Sequence, residues 1–164
     1  FGIGGRAYTR SIERDLSIDF EEAEELKLNV EDGLPAAKER AVKSALQKTL
    51  AVWTSGVEVA LGEFDKLDHL PNRLLICGGG SSLEMLMDAL SKSNWYRNLP
   101  FTRKPTVHHI HPKDVVGIHD TTGHVNDHTY ITAMGLLRVG LDTRQYTGSG
   151  PEGIKDKIDR ILQV

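Results

Sequence analysis

The stretch LLICGGGSSLEMLMDAL, residues 74–90, decides the fold class. RLLIC (73–77) is an apolar run too short for periodicity to separate a buried strand from a helix fragment, and the three glycines behind it select the strand. Gly78, Gly79 and Gly80 then make a turn, and Ser81 or Ser82 is expected to cap a helix from Leu83 to about Ser91. Leu83, Leu86, Met87 and Leu90 give that helix an apolar face. Glycine admits positive φ and lets a ligand lie against the backbone, while a helix start offers unpaired N–H groups and a positive dipole end. Ligands of α/β sheets bind beyond the carboxyl ends of strands, where this turn falls. A nucleotide or another phosphate-bearing ligand is the functional reading, and a bare strand-to-helix turn is the alternative. No lysine follows the glycines in GKS/T fashion, and there is no G-x-G-x-x-G in a complete βαβ unit, so neither standard phosphate fingerprint applies. Cys77, at the strand end, is expected to be a small buried hydrophobe.

Upstream, FGIGG (1–5) reads as the end of a strand and a tight turn, followed by a helix from Arg6 to Asp15 with Ile12 and Leu16 on one face. Ser17 or Asp19 caps a second helix running to about Asn29, whose first turn carries Glu21 and Glu22 as the helix dipole favours. Asp32-Gly33 marks a turn, and Pro35 suits the first turn of a long third helix reaching about Phe64, with Gly56 and Gly62 as places to kink or fray. Trp53 on that helix is expected in the core. Downstream, TVHHIH (106–111) reads as a second strand and VVGI (115–118) as a short edge segment. After a polar loop, Asp127 or Thr129 caps a helix from about Tyr130 to Val139. GSG (148–150) is a flexible joint before an amphipathic tail, Pro151–Gln163. The order is α/β with helices dominant.

The chain has 164 residues, 39% hydrophobic and 26% charged, with a formal net charge of −3, which excludes a disordered or low-complexity chain and disfavours a nucleic-acid binder held by overall charge. One cysteine permits no internal disulfide, which fits a reducing, cytoplasmic setting. No apolar run approaches a membrane span. The chain opens on Phe1 and a glycine-rich turn, and reads as a piece of something longer.

Three segments, taken in order, resemble the C-terminal half of the actin-like ATPase superfamily (ribonuclease H-like), in its FtsA branch of bacterial cell-division proteins, with the PilM pilus-assembly proteins as near relatives. GGRAYTRSIERDLSIDFEEAEELK (4–27) resembles the family's glycine pair, threonine-bearing helix and AE-x-x-K helix; LLICGGGSSLEML (74–86) resembles its adenosine motif; YITAMGLLRVG (130–140) resembles its second connecting helix. VVGIHD (115–120) also fits, and the likeness spans roughly residues 1–141. It implies an organisation with a smaller helical subdomain over about 17–72, a core subdomain over 1–16 and 73–147, and the joint and tail helix at 148–164. It implies that Glu24 and Lys27, at i,i+3 on one helix face, meet the ribose and base of ATP or ADP, that Gly78, Gly79 and Gly80 let adenosine lie against backbone, and that Ser81 caps the helix or touches the ligand. Read without the resemblance, Glu24 and Lys27 are a solvated ion pair. The phosphate loops, the catalytic carboxylate and most of the hold on Mg²⁺ belong, in the family, to an N-terminal half preceding these segments, so this piece alone is not expected to turn over ATP. HDTTG (119–123) falls in a variable loop and is not taken as a phosphate loop.

The implied role is ATP-dependent filament or scaffold assembly in cell division, peripheral to the inner face of the cell membrane. The implied partners are the N-terminal half, further copies of the chain, and membrane-bound division or pilus proteins, without nucleic acid. A PilM-like scaffold, and a phosphotransferase fragment of the sugar or acetate kinase type, are the other readings within the superfamily. A different class of function rests on six histidines between 108 and 128. His109 and His111 on one strand face, with His124 and His128 at i,i+4, are a candidate metal set; the alternative is a polar surface loop with half-buried strand histidines. For the tail, a membrane anchor competes with a short helix that packs on the domain or begins a further one; its nearly balanced charge favours the latter pair.

Overall fold

The computed structural model describes residues 2–64 and 66–146, with side chains as far as residue 143. Its contacts divide the chain into two compact units, Phe1–His109 and Ile110–Val164. The joint and tail expected at 148–164 lie outside the described residues.

The first unit is built on three helices, α1 (Gly5–Leu16), α2 (Phe20–Leu28) and α3 (Ala36–Gly62). α1 ends at Ser17, which takes a left-handed conformation (φ 55°). Asp19, and not Ser17, caps α2: its carboxylate accepts the Glu22 N–H at 2.8 Å. Gly33 turns the chain at φ +95°, and Pro35 stands at the N-cap of α3, one place before the first turn. Tyr8 and Ile12 of α1, Ala23 and Leu26 of α2, and Val42, Ala45, Leu46 and Leu50 of α3 form one buried cluster. Ser11 Oγ donates to the Ala45 carbonyl at 2.9 Å, a buried polar tie between α1 and α3. α1 packs on both α2 and α3 within one unit. α3 runs unbroken through Gly56; its second half presents Trp53, Val57 and Leu61 to the core, half-buried, while Val52 and Val59 are exposed.

β1 (Arg73–Ile76) and β2 (Thr106–His109) pair in parallel, from Arg73 opposite Thr106 to Ile76 opposite His109. Between them lie a 3₁₀ turn, Gly79–Ser82, then α4 (Glu84–Lys92) and a second 3₁₀ turn, Trp95–Asn98. Leu74, Ile76 and Val107 pack toward the helices, with Leu86 and Leu90 of α4 in the core. Leu75, 52% exposed, faces away, as the two-residue strand period requires. Cys77 is exposed, contrary to the expected buried position. It has the parity of Leu75 and so falls on the uncovered side of a two-stranded sheet. Trp95 is buried, its indole N–H donating to the Leu90 carbonyl at 2.9 Å and its ring meeting Tyr96 and Phe101 edge to face. Residues 2–4 form no strand.

The second unit carries a 3₁₀ turn at Pro112–Asp114, a polar loop, a 3₁₀ turn at His128–Tyr130 and α5 (Ile131–Tyr146). Asp127 is the cap before α5, accepting the Thr129 N–H. VVGI (115–118) is not a strand. Gly117 sits at φ +82°, and the Arg138 side chain occupies the space a Cβ there would need. The protein is therefore α/β and helix-rich, with a two-stranded parallel sheet. Among the described residues no helix is long and apolar enough to cross a membrane.

Candidate functional site

Within the first unit, α1, α2 and the turn after β1 enclose a cleft of about 540 Å³. Glu24 and Lys27 line it from α2, and Gly79 and Gly80 from the turn opposite. Four residues that the sequence reading tied to one ligand thus share one concavity. Gly5 and Arg6 of α1, Phe20, Leu28, Val30, Glu31, Ser82 and Leu83 complete the walls.

Gly78 and Ser81, expected at the ligand, do not line the cleft; they shape the turn behind it. Gly78 adopts φ +89°, the conformation glycine tolerates. Ser81 is buried, and its hydroxyl and N–H both bond back to the Gly78 carbonyl, at 2.7 and 3.1 Å. Neither serine caps α4. The 3₁₀ turn intervenes, and Leu83 holds the N-cap position without a side-chain bond. His109 Nε2 lies 3.0 Å from the Ser81 carbonyl; a carbonyl only accepts, so the ring nitrogen carries the proton and donates. β2 is thereby tied to the turn that presents Gly79 and Gly80.

The α2 side is a polar network. Lys27, 8% exposed, places Nζ 2.7 Å from Glu24 Oε2, 2.9 Å from Thr9 Oγ1 and 3.3 Å from the Gly5 carbonyl. An ammonium has three N–H groups, and all three are spent inside the protein. Thr9 Oγ1 also bonds Glu24 Oε2. The Glu24 carboxyl feels opposed influences. Partial burial raises its pKa; the hydrogen bonds from Lys27 and Thr9 and the Lys27 charge outweigh that and hold it below the ordinary value. The pair is therefore no solvated surface bridge. Lys27 joins α2 to the start of α1, and Glu24 keeps Oε1 without a hydrogen-bond partner among the described residues. That oxygen is an acceptor of the kind a diol or amine needs.

Two residues that the sequence reading missed govern the remaining electrostatics. Glu31 Oε1 accepts the Glu84 N–H at 3.2 Å, so a carboxylate of the chain itself already stands at the start of α4. That contact satisfies one N–H of the helix start and sets a negative charge beside it. The signal was out of reach in sequence, because 53 residues separate donor and acceptor. Arg6 lies over the Phe20 ring, 5.7 Å from its centroid, and has no ion-pair partner among the described residues.

Of the histidines raised for a metal, His109 serves the turn. His111 caps the Pro112–Asp114 turn: its ring Nδ1 accepts the Lys113 N–H, and its backbone N–H donates to the Asp114 carboxylate. His124 and His128 fall in and just after the polar loop of the second unit. Among the described residues no three His, Cys, Asp or Glu side chains gather where they could share an ion.

No family model matches the chain, and neither a curated protein nor a solved structure matches it.

Proposed function

We propose that the first unit binds an adenine nucleotide by its nucleoside end, and that the chain is the corresponding half of an FtsA-like actin-type ATPase. In that role ATP or ADP, with Mg²⁺ held mainly by an N-terminal half, governs assembly into a filament or scaffold at the inner face of the cell membrane. One observation carries the reading: the Glu24 carboxylate and the Gly79–Gly80 backbone, 55 residues apart in sequence, line one cleft. The walls suit a nucleoside. Phe20, Leu28, Val30 and Leu83 offer apolar surface to a flat base, two glycines let it approach the backbone, and Glu24 Oε1 can accept from ribose hydroxyls. The helix start that sequence logic gave to a phosphate is taken by Glu31, which favours the uncharged end of the ligand at that wall.

Gly79 supplies the test. A Cβ built there meets nothing within 4 Å, and its φ is not in the positive range, so neither a clash at Cβ nor backbone strain opposes a substitution. Gly79→Leu is expected to lower adenosine and ADP affinity at least about tenfold by filling the cleft, with unchanged circular dichroism and unfolding midpoint. Titration calorimetry showing wild-type affinity in a folded Gly79→Leu variant rules this cleft out as the seat.

A further inference from the structure

We infer that Arg6 is the residue with which this chain meets the phosphates of the bound nucleotide, an assignment that rests on the nucleoside reading of the cleft. It follows from the fate of each positive group in the walls. Two cationic side chains line the cleft, Arg6 and Lys27. Lys27 is buried, and its three donors are taken by Gly5, Thr9 and Glu24. The positive end of α4 is covered by the Glu31 carboxylate. Arg6 alone, among the described residues of the walls, keeps an uncommitted cation. Its guanidinium is exposed and held over Phe20, a contact that restrains the side chain without consuming its in-plane N–H donors. A planar fork of five donors matches phosphate oxygens, and a weakly hydrated guanidinium gives up little water to bind them. The charge layout also orients the ligand. The Glu24–Lys27 pair leaves the α2 wall near neutral and Glu31 repels phosphate from the start of α4, so the anionic end is directed to the α1 side, where Arg6 stands.

The experiment compares adenosine with ADP by titration calorimetry on the whole chain, in EDTA so that no divalent ion masks the diphosphate. Wild type is expected to prefer ADP by about tenfold or more, with the preference shrinking as salt rises. Arg6→Gln is expected to leave adenosine affinity within about twofold and to abolish the preference, and Arg6→Lys to retain part of it. Because Arg6 is exposed, folding of both variants is checked simply by an unchanged unfolding midpoint. If Arg6→Gln binds adenosine and still prefers ADP as wild type does, the assignment is overturned and the nucleoside reading survives. If wild type binds neither compound, the nucleoside reading itself fails.

Discussion

Two carboxylates in this protein are held by the same chemistry and do different work. Glu24, in the first unit, bonds the Thr9 hydroxyl and the Lys27 ammonium, and Lys27 reaches on to the Gly5 carbonyl; these contacts span 15, 3 and 22 residues of sequence. Asp120, in the second unit, bonds the Thr122 hydroxyl and N–H and the Val125 N–H, all within five residues. Both carboxyls are held below their ordinary pKa. The first network ties two helices to each other and shapes a cleft wall; the second folds one exposed loop back on itself. Hydrogen-bond chemistry alone does not say which carboxylate matters to the fold. Sequence separation and burial of the partners do, because a long-range buried contact breaks only when packed elements come apart, whereas an exposed local one can open while the rest of the fold stands.

The largest effect is expected from breaking the long-range network. Lys27→Met keeps much of the side-chain volume and removes the ammonium, leaving Glu24, Thr9 and the Gly5 carbonyl short of a donor. The cost is about 2 to 3 kcal/mol, below that of a fully buried pair because the Glu24 side chain is about a third exposed. Urea unfolding measures it. The pH dependence follows from the direction of the Glu24 shift. A folded-state pKa below the ordinary 4.5 gives stability that is present above pH 4.5 and lost as pH falls through the lowered value. Lys27→Met should flatten that acid limb; an undiminished limb would mean that the network does not hold the carboxyl down.

Tyr8 sharpens the contrast from the other side, since it neighbours Thr9 on α1 yet belongs to no network. It is 2% exposed, and its hydroxyl has no hydrogen-bond partner among the described residues. Burial pushes its pKa up from 10.0 to about 12. The unfolded chain therefore ionises first, and stability is complete below pH 10 and falls as pH rises from 10 to 12, by about 2 to 3 kcal/mol if this group acts alone. Tyr8→Phe should remove that alkaline loss. At neutral pH it should be neutral or stabilising by up to about 1 kcal/mol, because an unsatisfied buried hydroxyl is deleted with no partner stranded. A clear destabilisation at neutral pH would reveal a partner for the hydroxyl.

The same division explains what could be read in the chain beforehand. Local signals were legible: Asp19 as a cap, Gly33 as a turn, the strand before three glycines, and the long α3 all depend on neighbours within a few residues. The resemblance implies that Glu24, Gly79 and Gly80 meet one ligand, and these three residues line one cleft. What failed depended on distant partners. The resemblance implies that Lys27 donates to a ligand, whereas its donors reach residues 18 and 22 positions away. The apolar run predicts a buried Cys77, but in a two-stranded sheet with one covered face, alternate residues of that run face outward. Ser81 or Ser82 was expected to cap α4 because serine favours that position. Tight 3₁₀ folding of Gly79–Ser82 moved the helix start past both. Arg6 and Glu31 carried no local pattern at all; only the cleft gives them a role.

The smallest global effect is expected at Asp120, although its pKa is the more strongly lowered, to about 2. The Thr122 hydroxyl contributes most, followed by the Val125 and Thr122 N–H groups. All of these donors belong to the loop itself, which is largely exposed around a half-buried Asp120, so water replaces each bond when the loop opens. The loop geometry should persist above the ordinary aspartate pKa of 3.8 and loosen as pH falls through about 2. Asp120→Asn should therefore raise amide exchange at Thr122 and Val125 while leaving the urea midpoint of the protein unchanged. The same amides bear on HDTTG: the Thr122 and Val125 N–H groups, which an anion held there would need, already point at Asp120. A shift of the global midpoint in Asp120→Asn comparable to that of Lys27→Met would erase the distinction between the two networks, and with it the use of sequence separation to rank them.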